Sequence, residues 1–339
     1  MSISEDSPTR SMRKPMLLQS TREMHGRRSS MPGRRNVQKG RQQGRSKTKP
    51  EAYPPRYVED FGEARTQLEV FFNIPLGHRV TMRPMLIDTH THLDDDRYND
   101  DRDTMIARAR EAGVSTFITI GCDLATSRSA AELAGRHPFV YATVGVHPHE
   151  VKHIADDWYD ELRRLARYDK VVAYGEIGLD YHYNHSPPTL QRERFREQVC
   201  LARELSLPIV IHTREAQDDT IAILKEERAA EVGGVFHCFS GDARLAKDAL
   251  DLGFFLSFSG VITFQNAAML RDIVKTVPVD RILIETDCPY LTPVPHRGTR
   301  NEPAYVRFVA DKIAELKAIS VEEVGTITTW NAQRAFKIP

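Results

Sequence analysis

From Met85 onward the chain alternates short apolar, β-branched runs with longer stretches of helical period, eight times in succession. The runs are Met85–Thr89, Ser115–Ile120, Phe139–Val144, Val171–Glu176, Pro208–His212, Gly234–His237, Phe254–Ser257 and Arg281–Glu285. Helical stretches follow at 99–112, 124–136, 156–167, 189–205, 216–229, 242–251, 266–276 and 302–317. Asp123 stands where a helix cap is needed, Pro187 and Pro188 precede the fourth helix, and Gly113, Gly233 and Gly253 follow helices as C-caps. Alternating units of this kind require parallel strands covered by helices. Eight of them in about 250 residues match the count and size of a TIM (β/α)8 barrel, with 320–336 as an added C-terminal helix. A doubly wound open sheet is the alternative. A barrel places function at the C-terminal ends of its strands.

The polar residues gather at those ends. The first strand runs into His90-Thr91-His92, and residues i and i+2 of an extended chain share a face, so the two imidazoles converge. The fourth strand ends in Glu176 and Asp180, the fifth in His212 and Arg214, the sixth in His237, and the eighth in Asp287. A single histidine after a strand is ordinarily a hydrogen-bonded core residue, and a single aspartate is ordinarily a helix cap. Five strand ends agreeing in one frame point instead to a shared metal site. Four imidazoles and two carboxylates exceed what one ion needs, and suit two divalent ions with a bridging carboxylate. Glu176 is the expected bridge, His90 and His92 hold one ion, and His212 and His237 hold the other. Asp287 ligates the first ion and accepts a proton from the attacking water. Mixed N/O donors admit Mg²⁺, Mn²⁺ or Zn²⁺. No cysteine is expected among the ligands, which disfavours a structural zinc site.

Six segments together resemble one known family. They are Asp88-Thr89-His90-Thr91-His92, Gly145-Val146-His147-Pro148-His149, Gly175-Glu176-Ile177-Gly178-Leu179-Asp180-Tyr181, Ile211-His212-Thr213-Arg214, His237-Cys238-Phe239-Ser240-Gly241 and Glu285-Thr286-Asp287-Cys288-Pro289-Tyr290-Leu291. In this order, from Met85 to Lys337, they resemble the TatD family of metal-dependent deoxyribonucleases in the amidohydrolase superfamily. The resemblance implies a TIM barrel and hydrolysis of DNA phosphodiesters by hydroxide generated on bound metal. It carries metal ligation to His90, His92, Glu176, His212, His237 and Asp287, with catalysis resting on Asp287 and Glu176. Glu176 occupies the place where many superfamily members carry a carboxylated lysine, which argues against dihydroorotase-type and phosphotriesterase-type assignments.

The expected substrate is DNA, single-stranded or with frayed ends, degraded as a 3'-5' exonuclease. An ester or amide hydrolase on the same metals, such as a D-aminoacyl-tRNA deacylase, is the runner-up, since fold and metals do not choose a substrate. A non-catalytic nucleic-acid-binding protein is a third reading, disfavoured by the intact six-ligand set. Arg214 is expected to clamp a phosphate unless it pairs with Glu215 or Asp218. His147 is expected to contact phosphate, and Asp180 to bind substrate or steady a ligand imidazole. Tyr181, His182, Tyr183, Asn184 and His185 form a loop where bases can stack. His296, Arg297 and Arg300 form a basic loop beside the site. Phe236, Phe254, Phe255 and Phe258 read as core.

Charge is unevenly distributed. Residues 1–84 carry 17 Lys and Arg against 8 Asp and Glu, a balance of +9, while the remainder carries 30 against 39, a balance of −9. An acidic body does not fit tight binding along duplex DNA, but a nuclease acting on ends needs only a local basic rim. The first 50 residues are rich in Arg, Ser, Gln, Gly and Pro and are expected to be disordered. Residues 66–76 are expected to form a short docked element. Residues 1–84 thus read as a basic extension outside the functional unit 85–339, with Met82 and Met85 as start sites just before the first strand. The extension has no apolar core of a signal peptide, and no apolar run reaches the roughly 18 residues of a membrane span. The four cysteines form no Cys-x-x-Cys pair, as expected of reduced thiols in a cytoplasmic protein. A monomer without membrane contact is expected.

Overall fold

The computed structural model describes residues 85–155 and 157–339. The readings made for residues 1–84, including the short element at 66–76, lie outside the described residues.

Eight strands form one sheet in sequence order, each parallel to the next. They are β1 (Leu86–Thr91), β2 (Val114–Thr119), β3 (Val140–Val144), β4 (Val171–Asp180), β5 (Ile209–Arg214), β6 (Gly234–Phe236), β7 (Phe255–Phe258) and β8 (Ile282–Ile284). The last strand returns to the first. A parallel bridge joins Thr91 to Cys288, and the His92 and Asp287 N–H groups donate to the carbonyls of Cys288 and His90, each at 2.9 Å. The sheet therefore closes on itself as a TIM barrel, and a doubly wound open sheet is excluded.

Helices α1 (Arg102–Glu111), α2 (Leu124–Arg136), α3 (Trp158–Leu165), α4 (Pro188–Glu204), α5 (Gln217–Glu226), α6 (Ala243–Asp251), α7 (Ala268–Thr276) and α8 (Val306–Lys317) follow the strands in turn. Their ends obey the local signals. Asp123 accepts from the Thr126 N–H at 2.7 Å while the Thr126 hydroxyl accepts from the Asp123 N–H at 2.9 Å, a reciprocal cap. Pro188 opens α4, where a missing N–H costs nothing. Gly113 and Gly253 close α1 and α6 at φ +99° and +82°. Gly233 instead follows a 3₁₀ turn, Ala229–Glu231, because α5 stops three residues short of the expected end.

The core has two layers. Ile87, Ile118, Val172, Val210, Val235, Phe255 and Leu283 form a cluster inside the barrel. Helix α9 (Val321–Phe336), the expected added helix, contributes Ala332, Ala335 and Phe336 to it. Its Asn331 Nδ2 donates to the Val279 and Ile282 carbonyls at 2.9 and 2.8 Å, at the start of β8. The helix thus plugs the N-terminal end of the barrel. An outer layer, with Phe236, Phe254 and Phe258 fully buried in it, packs the sheet against the surrounding helices. With one end plugged and the sides covered, the C-terminal rim is left for polar groups.

Candidate metal centre

Glu176 lies at the middle of the rim. Strand β4 is ten residues long and carries both Glu176 and Asp180. Two glycines let it lie close to β5. At Gly178, φ is +145°, and a Cβ would stand 1.9 Å from the His212 carbonyl oxygen. Only glycine satisfies both the dihedral and the approach. The Glu176 N–H donates to the Gly121 carbonyl at 3.0 Å, which ties β4 to the turn after β2.

The two carboxylate oxygens of Glu176 face two donor groups. Oε2 lies 3.3 Å from His90 Nε2. Oε1 lies 2.7 Å from His212 Nδ1, 2.7 Å from His237 Nε2 and 3.4 Å from His147 Nε2. Beyond His90, Asp287 Oδ1 lies 3.7 Å from His90 Nε2 and 3.5 Å from His92 Nε2. All six strand-end residues expected from the sequence therefore meet. Asp287 sits at φ +55°, a left-handed conformation that Asp tolerates. His147, expected to touch phosphate, stands in the group around Glu176.

The electrostatics follow from this crowding. Burial opposes charge on Glu176, yet the imidazoles of His237, His147 and His212 hold its carboxyl well below the usual range. Asp287 shows the same balance: burial pushes its pKa up, but His92, His90 and His237 bring it below the ordinary value. Burial drives His147 down to about 4, so it is a neutral imidazole at pH 7. His90 is fully buried and neither ring nitrogen has a hydrogen-bond partner; Nε2 is near Glu176 but off the bonding direction. A buried imidazole with nothing to bond is costly unless an ion satisfies it. Four groups of donors lie with their atoms within 4.8 Å of one another: His90–His92–Asp287, His90–Glu176–His237, His147–Glu176–His212 and His92–Cys122–Glu176. The donor chemistry and the orphaned nitrogens of His90 both fit divalent cations.

Supporting residues hold these groups in place. Asp180 Oδ2 accepts from His212 Nε2 at 3.2 Å and from His149 Nε2 at 3.0 Å, and Oδ1 accepts from the Tyr183 N–H at 2.8 Å. It is almost fully buried, and these bonds steady the His212 and His149 rings. Glu285 accepts from the Cys238 N–H at 2.6 Å and lies 3.5 Å from His237 Nδ1. Asp88 accepts from the Thr286 N–H and hydroxyl at 2.9 and 2.6 Å, which clamps the end of β1 to the end of β8. Sequence reasoning gave neither Glu285 nor Asp88 a role; their only signal was a place beside a ligand. It also excluded cysteine, whereas Cys122 Sγ lies 4.0 Å from His92 Nδ1 and 3.9 Å from Glu176 Oε2. Cys122 lies beyond the end of β2, so its approach to His92 shows only in the tertiary structure.

The outer rim divides the remaining expectations. Arg214 is exposed, and its guanidinium lies 4.7 Å from the Tyr183 ring. The two carboxylates that threatened to neutralise it are engaged elsewhere: Glu215 with His182 and Asp218 with Arg244. Tyr183 stacks on His185 at 5.7 Å and is 52% exposed. A second exposed ring, Tyr290, stands 5.9 Å from His92 with the Arg97 guanidinium 4.3 Å away. The residues of the basic loop also make contacts within the chain. Arg300 pairs with Asp101, Arg297 stacks on Phe264 and His296 stacks on Tyr305.

A closed parallel barrel with a His, Glu and Asp cluster at its C-terminal rim defines a metal-dependent hydrolase. The family model described as TatD related DNase matches residues 87–337, and the chain belongs to that family. It is 47% identical over 254 residues to the uncharacterized metal-dependent hydrolase YabD of Bacillus subtilis, spanning 75% of this chain and 100% of that one. It is 37% identical over 259 residues to the 3'-5' ssDNA/RNA exonuclease TatD of Erwinia tasmaniensis, spanning 75% of this chain and 100% of that one. Among solved structures, the TatD homologue YjjV of Escherichia coli superposes with a TM-score of 0.72 at 30% identity, covering 76% of this chain and 100% of that one. No helix among the described residues is long and apolar enough to cross a membrane.

Proposed function

We propose that the protein is a two-metal phosphodiesterase that degrades DNA from single-stranded or frayed 3' ends. The observation that carries this reading is Glu176, buried between two donor groups with one oxygen turned to each. A carboxylate so placed is suited to bridge two cations. His90, His92 and Asp287 would hold one, and His212 and His237, with His147 beside them, the other. Bound divalent ions supply Lewis acidity and lower the pKa of water towards about 7. Mg²⁺, Mn²⁺ and Zn²⁺ all suit these donors.

The chain's own residues do the rest. Asp287 is ionised and its carboxylate is 14% exposed, against 4% for Glu176, so Asp287 is the group that reaches an incoming water and accepts its proton. Asp180 fixes the His212 ring by a hydrogen bond, and the Glu285 carboxylate lies 3.5 Å from the far nitrogen of His237. Arg214, free of a carboxylate partner among the described residues, binds a substrate phosphate. Tyr183 and Tyr290 offer exposed rings on which unpaired bases stack, which favours single strands over duplex. The name of the Erwinia relative supports both the 3'-5' direction and the preference for single strands.

End-labelled single-stranded DNA, duplex DNA and RNA, with a D-aminoacyl-tRNA ester alongside, test this directly. Metal-dependent shortening of single-stranded DNA from its 3' end, abolished by chelator, is expected. Turnover of the ester with the DNA left intact would replace this reading with the deacylase one.

A further inference from the structure

Cys122 is a half-buried thiol that no part of the proposed chemistry uses. Its backbone is fixed on both sides: its N–H donates to the Thr126 hydroxyl at 2.9 Å, and its carbonyl accepts from the His147 N–H at 2.8 Å. The cap of α2 thus sets where the side chain points. Its Sγ lies 4.0 Å from His92 Nδ1 and 3.9 Å from Glu176 Oε2, and the three donors fit a common ion. A second observation points to a ligand here. The fully buried Nε2 of His90, which has no hydrogen-bond partner, lies 3.3 Å from the same Glu176 oxygen.

We propose that Cys122, His92 and Glu176 form a thiophilic cation site at one corner of the cluster, so that the protein binds Zn²⁺ and Co²⁺ through sulfur as well as nitrogen and oxygen. The inference rests on the metal-holding part of the proposed function and not on its substrate. Thiolate is a soft donor that favours Zn²⁺ and its like over Mg²⁺ and Mn²⁺. On binding, the thiol gives its proton to solvent and an S–metal bond forms. His92 faces Cys122 with Nδ1 and Asp287 with Nε2. Ligation through Nδ1 beside Cys122 is the alternative to ligation through Nε2 beside Asp287, and the softness of the ion selects between them.

The test is optical and needs no turnover. Full-length protein freed of metal by chelator is titrated with Co²⁺ and its spectrum followed. Wild type is expected to develop a thiolate-to-cobalt charge-transfer band in the near ultraviolet together with the visible ligand-field bands. Cys122→Ser should lose the first and keep the second, while Cys200→Ser, at an exposed thiol bonded to Glu227, keeps both. Zn²⁺ affinity of Cys122→Ser should fall roughly ten- to a hundredfold, the range seen even for groups one layer out from a metal, with Mg²⁺ affinity unchanged. Ligand-field bands without charge transfer in wild type would overturn the sulfur site and leave the metal centre standing. Charge transfer that survives in Cys122→Ser would overturn it equally. No Co²⁺ spectrum at all would overturn both. The wild-type titration decides the matter even if the variant does not fold.

Discussion

At the scale of single residues, Asp287 and Arg214 do opposite things with the same rim. Asp287 is held at φ +55° and kept ionised by the imidazoles of His92, His90 and His237. Asn accepts that backbone conformation at least as readily as Asp. Asp287→Asn is therefore expected to keep its melting temperature and lose about 10²–10⁴-fold in kcat, the span of a positioned proton acceptor. Turnover and circular dichroism on one preparation check both halves. Arg214 stacks on Tyr183 and has no carboxylate partner among the described residues. Arg214→Ala should leave stability within about 0.5 kcal/mol, as for a surface change. It should lower kcat/KM on DNA about tenfold or more, since a hydrogen bond to a charged group is worth roughly 1.5–3 kcal/mol.

At the scale of elements, the site depends on how strands lie beside one another. Gly178 lets β4 touch β5 at His212, and a methyl there would meet the His212 carbonyl at 1.9 Å with φ at +145°. Gly178→Ala should cost more than about 1–3 kcal/mol, the range for overpacking alone, because backbone strain adds to it. Thermal melting measures that loss, and hydrolysis should fall with it as His212 moves off Glu176. The loop after β8 is held differently. Arg300 binds Asp101 at 2.8 Å, and Arg108 bridges Asp101 and Glu302 at 3.2 and 2.7 Å. Hydrogen bonds from Arg300 and Arg108 hold the Asp101 carboxyl down at about 2. A depressed folded pKa stabilises above the unfolded value of about 3.9 and is lost as pH falls through the folded one. The pair is solvent-screened, so Asp101→Asn should cost less than about 1 kcal/mol at pH 7. That difference should vanish between about pH 4 and pH 2, read by urea unfolding across the range.

For the whole molecule, the barrel concentrates its buried polar groups at one end and closes the other with α9. At the open end both ring nitrogens of the fully buried His90, and Nδ1 of His237, have no hydrogen-bond partner without a cation. A divalent ion at about 100 times its Kd adds about 2.7 kcal/mol to stability. For a domain of this size that is a rise of roughly 5–10 °C in Tm, seen by calorimetry when metal is added back after chelation. No shift would argue against a metal centre in the folded state.

Much of this was legible along the chain. The alternation of apolar runs and helical stretches has a period set by backbone geometry, so eight units, their order and the added helix α9 appear without any tertiary contact. His90, His92, Glu176, His212, His237 and Asp287 were visible because a parallel barrel sends every strand's C-terminal end to one rim. Which residues share a contact was not visible, because contact depends on side chains meeting across strands far apart in sequence. His147 turned towards Glu176, Cys122 was brought beside His92 by the cap of α2, and Asp88 reached across to Thr286. In the basic loop read as a substrate surface, Arg300 pairs with Asp101 while Arg297 and His296 stack on Phe264 and Tyr305. Sequence alone determined the barrel and the end that carries the chemistry, since both follow from local periodicity. Only the tertiary structure decided which charges remain free for a substrate and which are spent holding the fold, since that depends on the partners each side chain meets in space.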